Sequence, residues 1–320
     1  MKAFSELTPQ GKMRRYHRMA RTILEQYPLT VNKLTCVTIR YNIIFRVDAE
    51  EGIFALRISP NQHRTALQVR SEMQWVESIC HQTKLNLACP LRTKDQQLML
   101  ETEQDGIPDK RNAVVLKWLY GTPLRQNLSV KNIRAFGQML ADLHTHSAQY
   151  IPDDDFMTFD ECRIDEWGDL TYLKGEHPVL TSAQQAQFRE VIPACMARLE
   201  QLRADLPRLY LIHADTTLNN VLVYRGQLAL FDFDDCRWGH FAQDLAPPLC
   251  WLMDYPEYRE AFLEGYQDKR PLPVTKTDLK VAMVHRVMWG LNFMMHNRMQ
   301  FPEIVKNYAK QVEKILSLEL

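Results

Sequence analysis

The chain of 320 residues is predicted to adopt an α+β fold in two parts, a smaller sheet-containing part over 1–119 and a larger, mostly helical part over 120–320. Apolar residues form short strand-like segments before residue 120. After it they recur mostly every three or four residues, as in amphipathic helices. Between the two patterns, Tyr120 to Pro123 supplies the turn-forming residues expected at a boundary.

In the first part, the pattern predicts a helix, two β-rich segments, a second helix and two strands. These segments are, in chain order, 13–27, 34–47, 53–58, 67–80, 98–101 and 113–119. Asp48 to Gly52 reads as a hairpin turn between the β-rich segments. Val69, Met73 and Val76 mark one apolar face of the second helix.

The second part is predicted to contain a β-hairpin among helices. The hairpin joins strands over 221–224 and 228–233 through the turn signal Arg225-Gly226. Ser182 is a candidate N-cap for the helix predicted over 183–203, and Pro193 is expected to kink or split that helix. The helices cover 133–146, 183–203, 246–253, 257–267, 277–299 and 304–318.

Composition favours a sizeable globular protein, since 46% of the residues are hydrophobic and 39 basic residues balance 39 acidic ones. A general nucleic-acid binder would carry a basic excess, so no nucleic-acid partner is expected. Seven cysteines without a CxxC pair predict reduced thiols in the cytoplasm. No apolar run reaches the roughly 18 residues of a membrane helix. We therefore expect no membrane partner. The protein is expected to be a monomer or homodimer.

The segment 213–235 carries the most chemical information, because it places His213, Asp215, Asn220 and Asp232 around the predicted hairpin. Asp215 can orient a substrate hydroxyl, as the base of a phosphoryl-transfer site does. Asn220 and Asp232 can supply oxygen ligands to Mg²⁺, which takes one or two carboxylates from protein and other ligands from phosphates and water. The spacing therefore predicts a phosphoryl-transfer site.

This segment resembles the motif of the aminoglycoside phosphotransferase and choline kinase-like superfamily, in which His-Gly-Asp, four residues and Asn precede a hairpin with an Asp-rich end. Ala214 stands here where glycine is usual. The resemblance implies a two-lobed protein-kinase-like fold, with ATP and Mg²⁺ as cofactors. It also implies that Asp244, in Asp-Leu-Ala, braces the catalytic loop together with His213.

The resemblance extends to the smaller part, where it implies a cation on the nucleotide phosphates. Arg57 occupies the position of the usual lysine, and Arg is not equivalent to Lys in shape. Glu72 is its expected partner on the following helix, with Glu77 as the alternative. Asn42 lies in the expected phosphate-covering turn over 38–45, where it is either a family feature or an ordinary turn residue. The adenine is expected near 118–120.

The acceptor is less defined by the sequence. Only eleven residues separate Asp232 from Asp244, which argues against a long activation segment and favours a small molecule. The acidic stretch 151–178 would attract an amine-bearing acceptor, although a solvated acidic connection is the favoured interpretation. Asp234 either supports the metal ligands or contacts a cationic acceptor. Trp238 and His240 are candidates for acceptor contact, and so is one face of the 277–299 helix with His285, Trp289, Asn292 and His296. That face forms either part of the core or a wall of the acceptor pocket, and core packing is the default for Trp289.

These inferences predict an ATP- and Mg²⁺-dependent O-phosphotransferase acting on the hydroxyl of a small molecule. One alternative is a compact bacterial protein Ser/Thr kinase of the stress-response type. Another is a nucleotide-binding homologue without catalysis, which Arg57 and Ala214 favour and the intact Asp215, Asn220 and Asp232 oppose. The sequence does not distinguish ATP from GTP.

Overall fold

A computed structural model describes residues 3–62, 64–158, 179–296 and 302–320. The chain folds into two compact units of the α+β class. The described residues of the first unit are 3–121 apart from 63, together with 151–158 and 229–234. The first continuous stretch ends two residues beyond the predicted boundary at 119. The two later segments were not predicted.

The first unit contains an antiparallel sheet flanked by helices α1 (Pro9–Leu24) and α2 (Ala66–Gln82). Its strand order is β1-β2-β3-β6-β4, with β5 also paired to β6. These strands are β1 (Val31–Ile39), β2 (Ile43–Ala49), β3 (Gly52–Pro60), β4 (Pro90–Leu91), β5 (Leu100–Thr102) and β6 (Arg111–Lys117). The predicted segment 34–47 is therefore two strands with a tight turn around Asn42, because Arg40 N donates to Asn42 O at 3.1 Å.

The core of the first unit is apolar and lies between the sheet and α1. The inward positions of β2 alternate regularly, with Ile43, Phe45 and Val47 buried. They pack with α1 residues such as Met19 and Ile23 in one cluster. This period-two burial fixes the register of β2, because a one-residue slip would turn its buried positions outward.

One sequence expectation about the first unit is wrong. Cys80 and Cys89 form a disulfide, with Cα atoms 6.1 Å apart, because the chain leaves the end of α2 and returns at once towards β4. Their nine-residue separation is not a CxxC pattern. Four other cysteines in the described part of the chain form no disulfide there: Cys36, Cys195, Cys236 and Cys250.

The second unit is mostly helical. Its helices are α3 (Val130–Gln149), α4 (Ser182–Ala204), α5 (Phe241–Trp251), α6 (Pro256–Gln267), α7 (Lys276–His296) and α8 (Pro302–Ser317). α4 runs over Pro193 as one helix, and Thr181 rather than Ser182 caps it, since its hydroxyl accepts from Gln184 N at 3.2 Å. The helix is therefore not split at Pro193, and the prediction of Ser182 as its N-cap is wrong.

Close approach of α3 and α6 positions part of the functional region. Gly137 and Gly265 face the backbone of the opposite helix, and a β-carbon at either position would overlap it. The second unit also contains the short strands β7 (Thr122–Pro123), β8 (Tyr210–Ile212) and β9 (Val221–Tyr224). β9 forms a hairpin with β10 (Gln227–Leu230), whose last two residues belong to the first unit. A further strand, β11 (Arg237–Gly239), pairs with β8.

The predicted β9–β10 hairpin is confirmed. Its two-residue turn places both Arg225 and Gly226 at positive φ, which is the type I′ geometry that matches the twist of the flanking strands.

Within the described ranges, no helix is long and apolar enough to cross a membrane.

Candidate active site

In the second unit, the loop after β8 carries His213, Ala214 and Asp215. Asp244 anchors this loop from the first turn of α5, where its carboxylate accepts hydrogen bonds from the backbone N–H of His213 (2.9 Å) and of Ala214 (2.7 Å). Asp215 N donates to His213 Nδ1 at 3.3 Å. The backbone at Ala214 has φ +66°, which is the left-handed conformation that explains the usual glycine at this position.

A buried histidine supports the anchoring carboxylate. His144 Nε2 lies 3.2 Å from Asp244 Oδ2, and its Nδ1 lies 2.9 Å from the hydroxyl of Tyr266. Burial lowers the pKa of His144, although Asp244 opposes that shift. Nothing in the sequence around His144 or Tyr266 indicated this network, because the two residues belong to helices α3 and α6, brought together by packing.

Both oxygens of the Asp215 carboxylate are bonded. Asn220 Nδ2 donates to Oδ2 at 2.7 Å and to the Asp215 backbone carbonyl at 2.9 Å. Arg286 Nη2 donates to Oδ1 at 2.6 Å. Sequence reasoning missed Arg286, although it selected its neighbours in α7. The periodicity indicated a face with His285 and Trp289, and the arginine lies one position away from that face.

The same arrangement leaves Asn220 suited to a metal ion. The side-chain nitrogen of Asn220 donates a hydrogen bond to Asp215, so its side-chain oxygen can act as an acceptor or a metal ligand. An amide oxygen is a hard ligand of the type that Mg²⁺ takes. Among the described residues, no three His, Cys, Asp or Glu side chains are grouped to hold a metal ion.

In the first unit, Arg57 of β3 and Glu72 of α2 form a bidentate ion pair. The Nη1 and Nη2 atoms of Arg57 donate to the two carboxylate oxygens at 2.8 and 2.6 Å. Both residues are buried, and Arg64 Nη1 lies 3.7 Å from the same carboxylate. Glu77 pairs instead with Arg92, at 2.7 and 2.5 Å. The structure thus places Glu72, not Glu77, against Arg57.

Asp232 and Asp234 belong to the same unit as this pair. Asn42 Nδ2 donates to Asp234 Oδ2 at 3.0 Å, which ties the β1–β2 turn to the Asp-rich segment. Burial opposes ionisation of Asp234, but Arg57 and Arg64 outweigh it and hold the pKa of this carboxyl below its usual value. Asp232 is exposed, at φ +68°.

These groups fit a nucleotide phosphate. Arg57 Nε is buried and has no hydrogen-bond partner among the described residues, so it remains a donor for a further anion. Burial works against the charge of Arg57, but Glu72, Asp234 and Asp232 raise its pKa above the ordinary value. The guanidinium therefore stays charged in this site, as a phosphate ligand requires.

Several other candidates have different environments. His240 is buried and caps α5, because its Nδ1 accepts from Ala242 N at 3.0 Å. Burial lowers the pKa of His240 to about 4. Trp238 is half-buried in β11. In α7, His285, Trp289 and Asn292 are buried, as the core-packing alternative predicted. The side chain of His296 lies outside the described residues.

The acidic stretch 151–178 is described only up to residue 158. Within that part, Asp155 pairs with Arg70, and Asp153 accepts from Gln74 Nε2 at 3.0 Å. Both partners belong to α2 of the same unit. Asp154 is exposed, and the acidic residues from 160 onwards lie outside the described residues.

The fold and the catalytic-loop geometry define a phosphotransferase of the kinase-like class, and comparison with known proteins gives its family. Residues 42–274 match the family model described as the phosphotransferase enzyme family. The chain therefore belongs to the phosphotransferase enzyme family, which confirms the resemblance seen in the sequence.

Individual relatives are distant. An uncharacterized protein of Synechocystis sp., sll1119, is 23% identical over 291 residues, which cover 84% of this chain and 75% of that protein. A microcompartment-associated aminopropanol kinase structure has a TM-score of 0.73 at 19% identity, covering 93% of this chain and 95% of that one. The amicoumacin kinase hAmiN, in complex with AMP-PNP, Ca²⁺ and Ami, has a TM-score of 0.72 at 18% identity, with 97% and 96% coverage. These similarities confirm the predicted fold.

Proposed function

We propose that the protein transfers the terminal phosphoryl group of ATP, with Mg²⁺, to a hydroxyl of a small molecule. The observation that carries the proposal is the bonding of Asp215. Asn220 and Arg286 fix its two carboxylate oxygens, and Asp244 fixes the loop that carries it. A pre-positioned carboxylate of this kind suits a reaction in which catalysis is mainly orientation and charge stabilisation.

In this proposal, Asp215 accepts a hydrogen bond from the acceptor hydroxyl and takes its proton as the oxygen attacks phosphorus. The new oxygen–phosphorus bond forms while the bond to the ADP oxygen breaks, and ADP leaves with that electron pair. Asn220 and Asp232 would hold Mg²⁺, which supplies positive charge to the phosphate oxygens. Arg57, oriented by Glu72, would bind a phosphate oxygen, and Asn42 would hold the covering turn in place.

The family and the names of its structural relatives support a small-molecule acceptor. Two similar structures are an aminopropanol kinase and an amicoumacin kinase. An amine-bearing acceptor for this chain is a proposal in line with those names. We propose that the protein acts without nucleic acid or a membrane, as a cytoplasmic monomer or homodimer.

The test is a screen of hydroxyl-bearing metabolites and antibiotics, scored by ADP release with MgATP. We expect turnover with at least one acceptor, and Asp215→Ala should lower it by about 10²- to 10⁴-fold while retaining ATP binding. Asp142→Ala is the matched control, because Asp142 pairs with Lys269 at the surface of the same unit. Equal turnover by wild type and Asp215→Ala would refute the role of Asp215.

The screen also separates the alternatives. A protein Ser/Thr kinase would label itself or an added protein with the γ-phosphate of ATP and release no ADP in response to small acceptors. A homologue without catalysis would bind MgATP and release ADP with neither class of acceptor.

A further inference from the structure

Arg286 places a positive charge beside Asp215, the residue proposed to contact the acceptor hydroxyl. Its Nη2 lies 2.6 Å from Asp215 Oδ1, and the side chains of Arg286 and Asp215 are 22% and 27% exposed. The pair is thus reachable from solvent. An arginine in direct contact with Asp215 changes which acceptors the site can accept, because the acceptor must approach the same carboxylate.

The guanidinium of Arg286 is held on an aromatic surface. Its Cζ lies 4.9 Å from the ring centroid of Trp289, one turn further along α7. The buried Arg237 contacts the same ring, at 5.9 Å. Stacking on a ring fixes the plane of a guanidinium but uses none of its five N–H donors.

Arg286 therefore has donors to offer beyond its bond to Asp215. Only Nη2 is bonded to Asp215 in the described residues, and the fork of a guanidinium can bind a second oxyanion in its own plane. A cationic group of an acceptor would be repelled at this position. An anionic group would be attracted, and its approach would not require Asp215 to give up the bond to Asn220.

We propose that Arg286 determines acceptor specificity by binding a carboxylate of the acceptor, so that the substrate class is a hydroxy acid. The inference rests on the proposed function, since it concerns the acceptor of that reaction. The hydroxyl faces Asp215 and the carboxylate faces the outer edge of Arg286. Among amine-bearing compounds, Arg286 selects those that also carry a carboxylate.

The test compares acceptors in matched sets. Each set contains a hydroxy acid, its primary amide and the corresponding amino alcohol, and kcat and KM are measured by ADP release. We expect wild type to turn over the acids in preference to the amides and amino alcohols. Arg286→Ala should raise KM for the acid about 10- to 100-fold, the lower part of the range for a charge pair because the side chain is partly exposed.

Charge selectivity distinguishes this role from support of Asp215. If Arg286 binds the carboxylate, Arg286→Ala brings the ratio of kcat/KM for acid over amide close to one, and Arg286→Lys restores part of the preference. If Arg286 only positions Asp215 or stabilises the transferring phosphoryl group, kcat falls equally for acid and amide. That result, or an amide or amino alcohol turned over as well as its acid, overturns the proposal. Lys280→Ala, which removes another positive charge from α7, should leave the ratio unchanged.

Failure of the proposed function has a separate signature. If no set gives turnover while MgATP still binds, phosphoryl transfer to small acceptors is refuted, and calorimetry with the same acids on MgATP-loaded protein decides the inference. Binding of an acid that is lost in Arg286→Ala and absent for the amide upholds the carboxylate site. Equal binding of acid and amide, or no binding of either, overturns it.

Discussion

Removing the carboxylate of Glu72 should destabilise the first unit far more than removing that of Glu77, the other glutamate of the same helix. Glu72→Ala would leave the buried guanidinium of Arg57 without the two hydrogen bonds of 2.8 and 2.6 Å, and Arg64 without its contact at 3.7 Å. Breaking a buried ion pair on one side costs about 3–5 kcal/mol. Asp232 and Asp234 still act on Arg57, so we expect about 3 kcal/mol.

The measurement is urea-induced unfolding followed by circular dichroism at pH 7, for Arg57→Ala, Glu72→Ala and the double variant. Residues of one ion pair couple, so the double variant should cost about 2–3 kcal/mol less than the two single losses together. Calorimetry with MgATP adds a second readout: Arg57→Ala should weaken binding, and Arg57→Lys should keep part of it because the charge remains while the planar fork is lost.

Glu77→Ala is the matched control. Glu77 lies on the same helix as Glu72 and forms a bidentate pair with Arg92. The Arg92 side chain is 41% exposed, and an exposed pair contributes about 0.2–1 kcal/mol. Strictly additive losses for Arg57→Ala and Glu72→Ala, or equal costs for Glu72→Ala and Glu77→Ala, would refute the reasoning.

Three further predictions follow from the described residues. Asp232→Asn and Asn220→Ala should lower the calorimetric affinity for MgATP but not for metal-free ATP, because each removes an oxygen ligand that Mg²⁺ needs; unchanged MgATP affinity in both would argue against the metal roles. Ala214→Gly should raise the free energy of unfolding by about 0.5–1 kcal/mol, because it relieves a left-handed backbone at φ +66°, and a loss of stability would contradict this. The pKa of His240 is lowered from 6.5 to about 4. The folded state holds this histidine neutral, so its contribution to stability is complete above about pH 6.5. Between pH 6.5 and pH 4 the free energy of unfolding should fall by about 1.4 kcal/mol per pH unit. His240→Asn keeps a capping side chain without the titration and should flatten that part of the stability profile, whereas an unchanged profile would exclude His240 as its source.

The candidate catalytic loop could be recognised from the sequence because its residues are close together along the chain. His213, Asp215 and Asn220 lie within eight residues, and the Arg225-Gly226 turn specifies the hairpin that follows. Both helices and several strands of the first unit were also predicted, but β4 was not, and β1 and β2 were predicted as one segment.

Contacts between distant elements were harder to predict. Arg286 approaches Asp215 across 71 positions, and periodicity along α7 describes burial, not which exposed side chain reaches a carboxylate elsewhere. The Cys80–Cys89 disulfide depends on how tightly the chain turns after α2, and cysteine spacing alone does not specify that turn.

The return of residues 229–234 to the first unit has a consequence for synthesis on the ribosome. The first unit acquires Phe233, whose ring packs against Trp75 at 5.5 Å, only after the chain has been extended well beyond residue 121. At about 5–20 residues per second, the wait is on the order of 5–20 s. During that interval the nascent amino-terminal segment has an uncovered tryptophan. The first 121 residues therefore cannot complete the first unit, and expression of that fragment alone would yield an unfinished unit without Asp232 and Asp234.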